Sequence, residues 1–237
     1  LFSVYSQMPV PIIWYENAAR NLGKWIPKNV IKRIGSNTRQ IGKLGPVLQT
    51  FRVSFSQLNS LFEQENPKAI ELKKLILNLS DKLNSKNKLL IIVRDQAMEN
   101  ALSSWISLSE FMGKPWVSYI DIICCKKYIH YSTQKYTYSI FPGPLHFRYR
   151  WILGGDIGRE VYFIIYPHEI SIIQSQIDQF YSPNYLNRRA DRRRETISNI
   201  GHSGPNREAK ESVYYPELTI LTPKIISQDE FKIKKTP

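Results

Sequence analysis

The sequence predicts an α/β domain of three layers built around a mainly parallel sheet. Two continuous apolar runs, LLIIV (89–93) and EVYFIIYP (160–167), have the composition of strands covered on both faces. Stretches of helical periodicity stand between and around them, so the strands are joined by helical crossovers, and such crossovers connect parallel strands. The order helix, strand, helix, strand, strand, strand, helix, helix from about residue 67 to about residue 200 is that of a layered α/β unit.

Taken in order, MPVPIIWYENAARNLGKWIP reads as a short extended piece followed by a turn or helix begun near Asn17, punctuated by Pro9, Pro11 and Pro27. KNVIKRIGSNTRQIGKLG is polar, basic and only weakly periodic, with glycines at 35, 42 and 45, and reads as a connector. From Pro46, Val47, Leu48, Phe51, Phe55, Leu58, Leu61 and Phe62 fall at helical spacing. Asn66-Pro67 is a helix start, with Asn as the cap and Pro at the first helical position. Ile70, Leu72, Leu75, Ile76, Leu79 and Leu83 give the helix one apolar side. After LLIIV, Asp95 is placed to cap a helix whose Met98, Ala101, Leu102, Trp105 and Ile106 follow an i, i+3, i+4 stripe. WVSYIDIICC (116–125) and YTYSIF (136–141) are strand-like. PGPLHFRYRWILGG is a turn and one short helix, HEISIIQSQIDQFY a helix, and ELTIL (217–221) a last strand. Ser182-Pro183 repeats the cap-and-proline start and opens a helix through NYLNRRADRRRETISNIG.

At 237 residues and 42% apolar composition the chain has enough material for one sizeable core, which excludes a disordered protein. It carries no apolar run of bilayer-spanning length and no signal-peptide pattern. It begins with Leu rather than Met and is expected to be a piece of something longer, or processed. Its two cysteines, Cys124 and Cys125, are adjacent, have no CxxC or Cys/His spacing, and on a strand point to opposite faces. They read as buried small hydrophobes of a reducing cytoplasm.

The formal charge of +13 is concentrated at the flanks. Residues 17 to 62 contain Arg20, Lys24, Lys28, Lys32, Arg33, Arg39, Lys43 and Arg52 and not one acid. In the later tract, Arg188, Arg189, Arg192 and Arg193 occupy one outward arc of the expected helix, opposite Leu186, Ala190 and Ile197. Asp191 and Glu195 neutralise only part of that charge through i, i+3 and i+4 pairs. Arginine's planar fork suits phosphate oxygens, so phosphate-backbone contact is favoured over a solvated, salt-bridged helix. A second candidate is PGPLHFRYRW, where Arg148 and Arg150 stand among aromatics just after a buried strand. In open α/β sheets ligands bind at that end of the strands, and there the arginines would hold phosphate while the rings stack on bases. A packed aromatic loop with snorkelling arginines is the equal alternative.

Phosphate loops and catalytic clusters are missing. GSNTRQIGKL has six residues between its glycines where the Walker pattern has four, and Leu44 where it needs Ser or Thr. GGDIGRE precedes a strand instead of following one. His168-Glu169 lacks the second His of a zinc protease, and His130, His146 and His202 have no carboxylate at ligand spacing. Asp95 and Glu99 share a helix face, which capping and solvation explain.

KNKLLIIVRDQAMENALSSWI resembles the first strand and helix of the second RecA-like lobe of superfamily 1 and 2 helicases. YTYSIFPGPLHFRYRWIL followed by REVYFIIYPHE resembles the later strands of that lobe. PVPIIWYENAARN and the arginine-rich tract resemble helicase-like proteins of bacterial anti-phage islands of the DISARM type. The resemblance implies a RecA-like lobe at 67–200, preceded by a basic, partly helical segment (1–66) and followed by a loop and tail (201–237). It departs from the family in lacking the Gln/His-x-x-Gly-Arg-x-x-Arg segment and the whole Walker-bearing first lobe. The expectation is a cytoplasmic nucleic-acid-binding lobe without ATPase activity of its own, part of a larger defence or DNA-processing protein. It takes no cofactor in this chain, ATP and Mg²⁺ entering only with a first lobe. The expected partners are nucleic acid, DNA before RNA, and other subunits of a defence complex, with no membrane. The alternatives are a scaffold subunit docking an acidic partner, and a metal-dependent nuclease using Asp121, Asp156 and Glu160.

Overall fold

The computed structural model describes residues 7–24, 26–37, 45–64, 66–108, 111–128, 136–155, 157–181 and 217–222. The core is a five-stranded, wholly parallel sheet in the order β2-β1-β3-β4-β5. The strands are β1 (Leu89–Val93), β2 (Ile120–Cys124), β3 (Tyr138–Phe141), β4 (Glu160–Ile164) and β5 (Glu217–Leu221). The helices are α1 (Ile12–Asn21), α2 (Pro27–Asn37), α3 (Gly45–Gln64), α4 (Pro67–Ser80), α5 (Gln96–Leu108) and α6 (Ile170–Tyr181).

Strand periodicity sorts the core into two. Leu89, Ile91, Val93, Ile140 and Ile164 point to one face, where α1, α4 and α5 cover them with Ile12, Ala19, Leu72, Ile76, Met98 and Leu102. Leu90, Ile92, Phe141, Val161 and Phe163 point to the other, against Ile152, Leu153, Ile173 and Ile177. Every residue of β1 is buried. With β2 on one side and β3 on the other, β1 is central, which is why its run is unbroken rather than alternating. Cys124 and Cys125 divide between the two cores as expected, both buried with free thiols. Burial pushes the Cys125 thiol up to about 12, so it stays protonated at neutral pH.

Several boundaries differ from those read in the sequence. The weakly periodic basic stretch expected to be a connector is helical over 27–37, because Ile26 and Ile31 turn into the core while Lys28, Asn29, Lys32 and Arg33 stay in water. α1 starts at Ile12, well before Asn17, as Pro11 sets the entry and its carbonyl accepts from Trp14 N–H at 3.1 Å. Residues 116–119, expected as strand, belong to a 3₁₀ turn that begins at Pro115. β5 joins the sheet from beyond residue 200, where the α/β unit was expected to end. Met8, Val10, Tyr15 and Ala19 share one core with α4 and α5, so residues expected to form a preceding segment help to cover the sheet.

Candidate functional site

From β1 the chain crosses to one neighbour, β2, whereas from β3 it proceeds outward to β4 on the other side. The carboxyl ends of β1 and β3 are therefore where the strand order reverses. In doubly wound folds that divergence opens a crevice for ligands. Here it is lined by Arg94 after β1, Cys125 after β2, Pro142, Gly143 and Pro144 after β3, and His146 and Tyr149 beyond. The room inside is about 20 Å³, space for about one water molecule. Gln7 also lines it and donates from Nε2 to the Pro144 carbonyl at 3.1 Å. A Cβ on residue 143 would lie 3.0 Å from Gln7 Cγ, so glycine there permits the close approach.

Charged pairs fasten the loops of this edge. Asp95 caps α5 through Oδ1, accepting from Ala97 N–H at 2.9 Å and Met98 N–H at 3.2 Å. Its Oδ2 takes Arg94 in a forked pair at 2.8 and 2.7 Å, and Lys24 approaches Oδ1 at 3.7 Å. Burial opposes the charge on Asp95, but Arg94, the backbone and Lys24 overcome it and hold the carboxyl below its usual range. Across the edge, Lys68 of α4 donates to the Pro142 carbonyl at 2.7 Å and to Glu169 at 2.8 Å, with its ammonium 4.7 Å above the Tyr166 ring.

Glu99 was expected to be solvated and is instead buried on α5. One oxygen accepts from Cys124 N–H at 2.8 Å and the other from Lys127 at 2.5 Å, which ties the end of β2 to the helix. Burial works against its ionisation, yet these bonds keep its pKa below the ordinary value of 4.5. A carboxylate with a depressed pKa adds stability above its unfolded value, and that stability is lost as pH falls through the folded value. Glu99→Gln is expected to cost about 1 kcal/mol at pH 7, since Lys127 is half exposed, and progressively less in acid as Glu99 takes up its proton. Urea midpoints at neutral and acid pH check this, and a gap that does not narrow in acid rejects the charge as the cause.

Arg148 and Arg150 lie on the 3₁₀ stretch Phe147–Gly154, which leaves the crevice directly after β3. Arg148 is exposed, and its guanidinium stands 5.7 Å from the Phe147 ring centre. Phe147 and Trp151 are 64% and 44% exposed, while Tyr149 turns inward. Arg150 is half buried. The segment thus presents one guanidinium and two rings to solvent beside the crevice, fewer than the two arginines and three aromatics of PGPLHFRYRW, since Arg150 and Tyr149 are partly buried. Arg188, Arg189, Arg192 and Arg193 lie outside the described residues. So does Asp156 of the expected nuclease trio. The other two members do not meet: Asp121 belongs to β2 and faces the core that holds Ile123, while Glu160 opens β4 with Tyr162 on the opposite face. Each accepts from a tyrosine hydroxyl, Asp121 from Tyr136 at 2.9 Å and Glu160 from Tyr162 at 2.6 Å. β1 and β3 stand between their strands, a separation of about 14 Å at the usual strand spacing.

Sequence reasoning missed a basic recess on the same edge, lined by Gly23, Lys24, Asn29, Lys32 and Arg33. Its signal was the acid-free run from Asn17 to Phe62, which becomes a site only once 27–37 is known to be helical. Among the described residues no three His, Cys, Asp or Glu side chains are grouped to hold a metal ion, and no helix is long and apolar enough to cross a membrane. No family model matches the chain, and neither a curated protein nor a solved structure matches it.

Proposed function

We propose that the chain is a nucleic-acid-binding α/β domain, a helicase-like lobe of a larger bacterial defence or DNA-processing protein, that grips the phosphate backbone along the carboxyl edge of its sheet. The observation that carries this reading is the exposed Phe147, Arg148 and Trp151 beside the crevice of a chain with net charge +13. A guanidinium neutralises phosphate, and an exposed ring gives any base a face to stack on. The arginine tract around Arg188, Arg189, Arg192 and Arg193 adds charge in the same role, with DNA favoured over RNA as the polyanion. No nucleotide hydrolysis is assigned to these residues.

The test is fluorescence anisotropy with a labelled 20-nucleotide thymidine strand across a salt series. Five or more phosphate contacts give a slope of about −3.5 or steeper in log K against log salt, a loss of roughly a hundredfold or more between 50 and 200 mM. Phe147→Ala with Trp151→Ala is expected to weaken single-strand binding by about tenfold or more. Charge reversal of Arg188, Arg189, Arg192 and Arg193 together is expected to abolish binding, and unchanged affinity would remove that tract from the interface. Weak binding without length dependence, with one stoichiometric protein captured after nuclease treatment, would replace this reading with a scaffold subunit.

A further inference from the structure

α1 ends at a turn that returns the chain on itself. Gly23, at φ +63°, lets its own N–H reach the Arg20 carbonyl at 2.9 Å and the Lys24 N–H reach the Ala19 carbonyl at 2.8 Å. Ile26 then enters the core and Pro27 starts α2. α2 carries Asn29, Lys32 and Arg33 at i, i+3 and i+4, so the three share one wall opposite the turn. Gly23 and Lys24 supply the other wall of a recess of about 430 Å³, ample for a hydrated phosphate. Since Gly23 has no side chain and nothing stands within 4 Å of where one would be, that wall is open backbone.

Among the described residues Glu16 and Asp95 stand near this region, and both are engaged. Glu16, buried on α1, accepts from the Lys28 N–H at 3.1 Å at the start of α2. Asp95 faces Lys24 at 3.7 Å but is held more tightly by Arg94, at 2.7 Å. The lining itself brings the three cationic side chains of Lys24, Lys32 and Arg33 beside the amide of Asn29. The link from Lys24 through Asp95 to Arg94 also places the recess next to the switch-point crevice, whose wall Arg94 forms.

We infer that this recess is a binding site for a backbone phosphodiester of the nucleic acid, seated on Lys24, Lys32 and Arg33 with Asn29 as a neutral donor. The inference rests on the nucleic-acid reading above and adds a site to it. Lysine and arginine side chains on a helix wall contact phosphate without reading bases, so the site contributes affinity and salt dependence and no sequence preference.

The experiment compares the full chain with its Lys24→Gln/Lys32→Gln/Arg33→Gln variant, whose fold is checked by an unchanged circular dichroism melting curve. Binding of the 20-nucleotide thymidine strand is followed by anisotropy across salt, and amide shifts are recorded on addition of pyrophosphate. Loss of three single-strand contacts is expected to weaken binding tenfold or more at 100 mM salt and to reduce the slope by about 2. The amides of Gly23, Lys24, Asn29 and Lys32 are expected to move with pyrophosphate. A variant that binds with the parent's affinity and slope overturns the recess and leaves the nucleic-acid reading standing. If the unmodified chain binds no oligonucleotide, that reading itself fails. Recess amides that then still shift with pyrophosphate identify a small-phosphate site and overturn the polynucleotide assignment, and amides that stay still overturn the recess altogether.

Discussion

Lys68→Met is expected to lower the unfolding free energy by about 3–5 kcal/mol, the cost of leaving one partner of a buried ion pair without the other. Lys68 is fully buried and Glu169 nearly so. With the ammonium gone, Glu169 keeps, among the described residues, the Tyr166 N–H at 2.8 Å, and the Pro142 carbonyl loses the Lys68 donor. The double variant Lys68→Met/Glu169→Leu removes both charges and is expected to recover most of the loss, because apolar replacement of a buried pair is often neutral. Urea unfolding followed by tryptophan fluorescence reads both. A single-variant cost below about 1 kcal/mol would mean that water reaches the carboxylate.

The pH dependence gives a second handle on the same pair. Burial pushes Lys68 down from its ordinary 10.5 to about 8, against the attraction of Glu169. Between those values the unfolded chain binds more protons at this residue than the folded one. Stability from this group therefore rises as pH climbs through that window. The parent is expected to gain on the double variant between pH 8 and pH 10. The pair also matters for the site, since Lys68 holds the carbonyl of Pro142, the first residue of the turn that walls the crevice.

How much of this was legible in the chain depended on how local each cause is. β1 is marked by five apolar residues in a row, the start of α4 by Asn66-Pro67, and the start of α5 by Asp95, because strand burial and capping depend on neighbours in sequence. α2 was not legible, since its core contact through Ile31 and that of Ile26 just before it have meaning only once α3 is packed beside it. Lys68 and Glu169 belong to two segments that read as helices, and no local signal pairs them. They are 101 residues apart, and nothing in either segment says that strand order will press them together without water. Glu99 was misread for the same reason, its partners Cys124 and Lys127 arriving only with β2. The candidate site divides likewise: the Arg and aromatic residues after β3 were placed correctly because the position follows from a strand end. The recess needed two helices and a turn whose geometry is tertiary.

Asn66→Ala is expected to cost about 2–4 kcal/mol, more than an ordinary helix cap, which contributes about 1. Its Oδ1 accepts from Lys68 N–H at 3.0 Å and Ala69 N–H at 3.3 Å, starting α4. Its amide nitrogen reaches the other way, donating to the carbonyls of Met8 at 2.8 Å and Val10 at 2.7 Å. The residue is 2% exposed, so the alanine variant leaves two buried carbonyls without a donor, each at about 1 kcal/mol or more. Asn66→Asp separates the two roles. It keeps the cap, and a carboxylate there suits the positive end of α4, so a residue acting only as a cap would tolerate the change. Facing two carbonyls, the same carboxylate repels them, and the variant is expected to be at least as unstable as alanine at pH 7. Limited proteolysis is then expected to cut near Met8 earlier than in the parent. That segment carries Gln7, which lines the crevice, so the hydrogen bonds of Asn66 also keep Gln7 seated against Gly143. An aspartate variant as stable as the parent would show that the leading segment is held by the burial of Met8 and Val10 alone.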